Sequence, residues 1–160
     1  MPSKKNSSAK STPRATHADA DIVLRLFEQR RDPELRKARN YVMFEFAPRT
    51  NEEFLAVITN FGTPEQTYCR MVFGYWDQAA SLVNHGAVHA DLFDDFSAEL
   101  CFLYAKYKDF IPALRANLNP EALAHVEKVA NRSQKNRERV KRFEHIIAER
   151  FRPRAAKTGS

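Results

Sequence analysis

Residues 96–115 read FSAELCFLYAKYKDFIPALR, and the large apolar side chains in this segment recur at the pitch of an α-helix. They stand four, three, four, three and four positions apart, at Phe96, Leu100, Leu103, Tyr107, Phe110 and Leu114. This spacing places them along one side of a helix with 3.6 residues per turn. Such a stripe must be buried against another element. We therefore expect a helix-on-helix seam centred on this segment.

Helix-start signals divide the rest of the chain. Asp32 and Thr63 each precede a proline, and Thr50 stands three residues before a glutamate, which are the patterns of N-caps and capping boxes. Asp19 is the predicted N-cap of the first helix. Asn119, which is followed by proline, is the predicted start of the last helix, which runs to about residue 151.

One segment fits two kinds of secondary structure. Residues 41–46, YVMFEF, combine β-favouring side chains with positions that continue the preceding apolar stripe. Helix is favoured, because no second strand is evident to pair with this one. Pro112 also leaves two alternatives, a kinked helix or a new short helix capped by Asp109.

These patterns predict an all-α protein with a single domain. Five or six helical segments match the 3.6-residue period, and the chain of 160 residues is 43% hydrophobic, enough for one core. We expect a disordered tail over residues 1–18, a bundle of five or six helices over residues 19–152, and a second tail over residues 153–160. Whether the last helix, about residues 120–151, packs on the bundle or protrudes is left open.

Charge is unevenly distributed along the chain. The net charge of +6 divides into +4 over residues 1–18, −4 over residues 19–120 and +6 over residues 121–160. The two cysteines do not form the pattern of a secreted disulfide scaffold, and no apolar stretch is long enough to cross a membrane. We therefore expect a cytoplasmic protein with a basic C-terminal helix.

Several stretches of the chain combine core residues with helix caps: Arg31 to Arg39, Tyr75-Trp76-Asp77 with Leu82 to Val88, Asp91-Leu92-Phe93, Glu99, and Phe110 to Arg115. Together they resemble a family of small all-helical bacterial proteins of unknown function. The resemblance covers about residues 24–130. This chain has Asp77 where the family pattern has glutamate, and Ala98 where it has glycine. The resemblance implies a compact helical fold and supplies no catalytic residues.

Glu99 is the most informative polar residue, because it lies beside the apolar seam. A buried carboxylate must be paired, and Arg36, Arg39 and Arg115 are its candidate partners. The candidate polar cluster comprises Glu99, Arg115, Arg39, His85 and Tyr75. A structural salt bridge is favoured over catalysis at this place. We predict no catalytic, cofactor-binding or metal-binding residues, since Gly86 should end the helix before His85 and His89 can share a face.

The second candidate site is the basic stretch near the C-terminus. Its candidate anion-binding residues are Lys128, Arg132, Lys135, Arg139, Lys141 and Arg142. On a helix these side chains spread around several faces, which is typical of a solvated helix.

The favoured function is a non-enzymatic module for protein interaction or homo-oligomerisation. It is favoured because no convergent polar constellation accompanies the aromatic surface of residues 68–110. One alternative is a protein that binds nucleic acid without sequence specificity through the basic C-terminal helix. A second alternative is a small-molecule binder or enzyme with a pocket near Glu99.

Overall fold

A computed structural model describes residues 13–151 of the chain, and every α-helix in that range lies in one bundle. Nine α-helices, one π-helical segment and one 3-10 turn occur within these residues, with no strand among them. The order is α1 (His17–Gln29), α2 (Pro33–Asn40), the π segment (Tyr41–Glu45), α3 (Asn51–Ile58), α4 (Pro64–Asn84), α5 (Ala90–Phe96), α6 (Ala98–Tyr107), the 3-10 turn (Lys108–Phe110), α7 (Ile111–Asn117), α8 (Ala124–Arg132) and α9 (Gln134–Phe151).

The all-α class is confirmed, but the predicted number of five or six helices is too low. Two predicted long helices are each divided at a single serine. Ser97 separates α5 from α6, and Ser133 separates α8 from α9. The Ser133 hydroxyl accepts the backbone N–H of Asn136, so a side-chain N-cap restarts the helix.

Local capping chemistry sets most of the other boundaries as predicted. Asp32, Thr50 and Thr63 each accept a backbone N–H at the start of a helix. The predicted cap at Asp19 is wrong, because Thr16 caps α1 and Asp19 closes the capping box from inside the first turn. The predicted tails lie largely outside the described residues, at positions 1–12 and 152–160.

The core lies around α4 and α6. Helix α4 packs against α2, α3 and α8, while α6 packs against α8 and α9. Packed aromatic rings fill the space between them, with the Phe54 ring centroid 5.0 Å from that of Phe110 and the Phe73 centroid 5.2 Å from that of Tyr107. Both cysteines are fully buried.

The predicted seam is confirmed except at its first residue. Leu100, Leu103, Tyr107 and Leu114 are buried, but Phe96 is 43% exposed. Because Ser97 interrupts the helix, Phe96 lies on α5 and leaves the stripe that continues along α6. Pro112 stands in the first turn of α7, as the short-helix alternative expected, although the residue at the N-cap position is Phe110 rather than Asp109.

Residues 41–45 form a π-helical continuation of α2, so the favoured helical interpretation is confirmed. The helix ends with this segment, so the carbonyl groups of its last turn lack helical partners. Side chains of α6 donate hydrogen bonds to these carbonyl groups. Lys106 Nζ donates to Val42 O at 2.9 Å and to Met43 O at 3.0 Å. The Tyr107 hydroxyl also donates to Val42 O, at 2.6 Å.

The C-terminal region begins later than predicted and packs on the bundle. Helix α8 starts at Ala124 rather than near Asn119, after Leu123 adopts a left-handed conformation with φ 55°. Asp77 of α4 supplies the missing cap, since its Oδ1 accepts the N–H groups of His125 and Val126, both at 3.0 Å. Helix α9 then lies along α6 and α8.

Candidate functional site

Glu99 binds three side chains from three other parts of the chain. Arg39 Nε donates to Oε1 of Glu99 at 2.8 Å and Arg39 Nη2 donates to Oε2 at 2.5 Å. Arg30 Nη2 donates to the same Oε2 at 2.8 Å. The indole Nε1 of Trp76 donates to Oε1 at 3.1 Å. The carboxylate is therefore fully engaged by two guanidinium groups and one indole.

The fold brings these groups together from distant positions. Arg30 is the C-cap of α1, Arg39 lies in the last turn of α2, and Trp76 is a buried residue of α4. Glu99 lies in the first turn of α6, where the helix dipole favours a negative charge. The cluster thus ties four helices to one carboxylate.

Burial and pairing act in opposite directions on the Glu99 carboxylate. Burial by itself raises its pKa, but the hydrogen bond from Arg39 and the charges of Arg30 and Arg39 outweigh that effect, so the pKa is lower than usual. The hydrogen bond to Glu99 likewise raises the pKa of Arg39. All three charged side chains are mostly shielded, with 15% exposure for Glu99.

Only part of the predicted polar cluster comes together. Arg39 binds Glu99, and Tyr75 lies alongside, with its hydroxyl donating to Leu26 O at 2.5 Å and its ring packed edge-on against Trp76. Arg36, one of the candidate partners, is exposed.

Arg115 and His85 do not join the cluster. Arg115 donates to Ala122 O at 3.0 Å and to Glu127 at 2.8 Å, so it holds the turn before α8. His85 is the C-cap of α4, and its ring lies against His125. Both predictions were wrong because sequence spacing does not show which helix end approaches Glu99.

Sequence reasoning missed Arg30 and the role of Trp76. A signal existed for Trp76, because the N–H of the sole tryptophan needs an acceptor when it is buried. Arg30 reaches Glu99 from a position 69 residues away. No pattern in the sequence joins those positions.

The space beside this cluster is small. A cavity of about 10 Å³ is lined by Arg30, Trp76, Ser97 and neighbouring aromatic rings. That volume corresponds to about one water molecule. Arg30 Nε and Ser97 Oγ are both buried without a protein partner, so the cavity is polar at two points. It holds no room for a substrate of metabolite size.

The candidate anion-binding residues divide into two groups of three. Arg132 pairs with the buried carboxylate of Asp94, Lys135 pairs with Asp95 at 2.8 Å, and Arg139 Nη1 donates to Asp94 O at 2.8 Å. These three side chains fasten the C-terminal helices to α5. Lys128, Lys141 and Arg142 are exposed and have no carboxylate partner within residues 13–151.

A further exposed surface, which we name the α9 face, combines apolar and charged groups. Phe44 of the π segment is 53% exposed and Ile146 of α9 is 41% exposed. Phe102 lies between Phe44 and α9, with its ring centroid 6.4 Å from that of Phe44 and 5.4 Å from that of Phe143, which is three residues before Ile146. The remaining members of the α9 face are Glu138, Arg139, Arg142, Glu149 and Arg150.

The fold and the site define a small all-α domain whose buried polar groups tie its helices together. The chain belongs to the family described as Domain of unknown function (DUF4760), whose model matches residues 15–133. The resemblance to a helical family of unknown function is thereby confirmed. No curated protein and no solved structure matches the chain. Within residues 13–151, no helix has the length and apolarity required to cross a bilayer.

Proposed function

We propose that this protein is a non-enzymatic module that forms a homodimer through the α9 face. The observation that carries the proposal is an apolar strip bordered by charges of both signs, in which Phe44 and Ile146 are exposed and Phe102 and Phe143 are partly buried. Exposed apolar strips with a charged rim are typical of protein interfaces. Two-fold symmetric dimers are the commonest oligomers, and they require a surface that complements itself.

The charges along α9 meet that requirement. When two copies of α9 lie antiparallel with Ile146 opposite Arg142 of the second copy, Glu138 stands opposite Arg150. In the same register Arg139 stands opposite Glu149. Glu138, Arg142, Ile146, Glu149 and Arg150 are exposed, and Arg139 is half-buried. The exposed Glu138 and Arg150 of each copy therefore meet opposite charges on the partner, on either side of a centre where Ile146 faces Arg142.

The interior of the bundle supports a non-enzymatic role. Glu99, which is mostly shielded, uses both carboxylate oxygens to hold arginine and tryptophan side chains. Burial also raises the pKa of Cys69 to about 12 and that of Cys101 to about 11, which disfavours the reactive thiolate form. An inert carboxylate and two inert thiols fit a structural interior.

Sedimentation equilibrium of charge-swap variants tests the dimer. Wild type should show a concentration-dependent dimer, while Glu138→Arg and Arg150→Glu should each weaken it by at least tenfold. The double variant restores opposite charges in reversed order and should recover association. Glu121→Arg, an exposed change outside the α9 face, is the matched control.

A wild-type monomer at all concentrations contradicts the proposal, as does a double variant that associates no better than the singles. Circular dichroism of each variant shows whether the helices are retained. A dimer that survives both single changes but is lost on changing residues outside the α9 face also contradicts it.

Nucleic-acid binding is the second candidate, supported by Lys128, Lys141 and Arg142, which are the three candidate anion-binding residues that have no carboxylate partner in the described part of the chain. With three phosphate contacts, the binding constant should fall roughly as the third power of the salt concentration. Filter binding of duplex DNA at low salt, repeated with all three changed to glutamine, tests this candidate. Loss of binding in the triple variant supports it, and absence of wild-type binding rejects it.

A further inference from the structure

A large open groove lies on the side of α9 away from the α9 face. Its walls are the connection at residues 47–51, the C-terminal end of α6 with the 3-10 turn, and α9. Its volume is about 1160 Å³, which is somewhat larger than the roughly 300–1,000 Å³ typical of small-molecule sites. This groove is separate from the Glu99 cluster, and no residue of that cluster lines it.

Lys106 lies at the floor of the groove and is only 9% exposed. Its ammonium group donates to two backbone carbonyls of the π segment, and the Phe151 ring centroid lies 4.5 Å away. No carboxylate pairs with it among residues 13–151. Burial lowers its pKa to about 8, because the charged form is poorly solvated there. An anion in the groove would supply the missing counter-charge.

The walls of the groove add further positive charge. Arg49 and Lys141 are both exposed, and neither pairs with a carboxylate in the described range. Lys108 is neutralised by Glu144, and Asp109 is the remaining acid on the lining. The lining of the groove therefore has a net charge of +2, because three cations that are unpaired among the described residues, Lys106, Arg49 and Lys141, stand against the single unpaired acid Asp109.

We propose that this groove binds a metabolite-sized polyanion carrying phosphate or carboxylate groups, with Lys106 at its floor and Arg49 and Lys141 at its rim. The buried lysine interacts with an anion more strongly than an exposed one does, since the surrounding medium screens the attraction less. The two exposed cations match a ligand with more than one negative charge.

Isothermal titration calorimetry with pyrophosphate, citrate and ATP tests the proposal, at pH 7 and against sodium chloride of equal ionic strength. Pyrophosphate and ATP distinguish free phosphate from nucleotide ligands, and citrate reports carboxylate recognition. We expect at least one probe to bind, and Lys106→Met and Lys141→Met each to weaken it by about tenfold or more. Lys128→Met removes an exposed lysine outside the groove and should leave binding unchanged.

Arg49→Met combined with Lys141→Met keeps the test decisive if Lys106→Met fails to fold, because both residues are exposed. The double variant should abolish binding of the probe that wild type prefers. Binding of no probe above the chloride control overturns the proposal. Binding that is unaffected by the changes at Arg49 and Lys141, or that is lost in Lys128→Met, overturns it as well.

Discussion

The indole Nε1 of Trp76 donates a hydrogen bond to Oε1 of Glu99 at 3.1 Å. The only tryptophan of the chain is therefore in direct contact with the carboxylate that holds α1 and α2 to α6. Its fluorescence reports on that carboxylate during unfolding. This contact makes the Glu99 cluster accessible to a simple measurement.

Replacing Glu99 by glutamine should lower the free energy of unfolding by roughly 2–4 kcal/mol, because two shielded guanidinium groups lose their charge partner. Urea denaturation followed by Trp76 fluorescence measures the change. Asp95→Asn is the matched control, since its pair with Lys135 is exposed, and the expected loss is below about 0.5 kcal/mol. Equal losses in the two variants would contradict a central role for Glu99.

Acid should weaken the same cluster. The pKa of Glu99 is lower in the folded state than its usual value of 4.5, so its contribution is complete above pH 4.5 and is lost as pH falls through the folded-state pKa. The stability difference between wild type and Glu99→Gln should therefore shrink as the pH is lowered from 5 to 3. A difference that stays constant over that range would contradict the pairing.

Replacing Asp77 by alanine should lower the free energy of unfolding by about 1–2 kcal/mol, since the first turn of α8 loses its only side-chain cap. Asp77→Asn keeps an acceptor oxygen and should lose less. Urea denaturation gives both values. Hydrogen exchange should show faster exchange at His125 and Val126 in the alanine variant, and unchanged exchange there would reject the capping role.

Phe54 is the centre of the packed aromatic rings, with contacts to Phe46, Phe73, Tyr107 and Phe110. It is 1% exposed, so Phe54→Ala should lower the free energy of unfolding by about 3–5 kcal/mol. Phe61→Ala makes the same change at a side chain that is 69% exposed, and its effect should stay within about 0.5 kcal/mol. Similar losses at both positions would contradict the core described above.

Lys106 should make stability rise with pH. Its pKa is about 8 in the folded state against 10.5 for the free side chain. Between these pH values the Lys106 amine is therefore protonated in the unfolded chain and neutral in the folded one. Stability therefore increases with pH in this window, by up to roughly 3 kcal/mol. Burial raises the pKa of Cys69 and Tyr107, which acts in the opposite direction at higher pH.

Comparison with Lys106→Met separates this contribution from the others. The stability of wild type relative to the variant should increase from pH 7.5 to pH 9.5, measured by urea denaturation at each pH. The thiol and phenol groups are common to both proteins and largely cancel. A flat difference across this range would show that the ammonium group is not buried as described.

Apart from the pairing of Arg39 with Glu99, the predicted interactions that the structure confirms are short-range ones. The side-chain oxygens of Asp32, Thr50 and Thr63 accept backbone N–H groups three residues ahead, so the acceptor and its donor are fixed by the same turn of the chain. The stripe from Leu100 to Leu114 likewise follows from helical pitch and the need to shield apolar surface. The all-α class follows from these two effects.

Contacts between distant segments required the tertiary structure. Arg30 meets Glu99 across 69 residues, and Asp77 caps a helix 48 residues further along. Which arginine reaches a carboxylate depends on how helices cross, which no local pattern specifies. Helix pitch and capping act within one turn and are encoded residue by residue, whereas the Glu99 cluster, the α9 face and the groove at Lys106 exist only because packing places separate helices side by side.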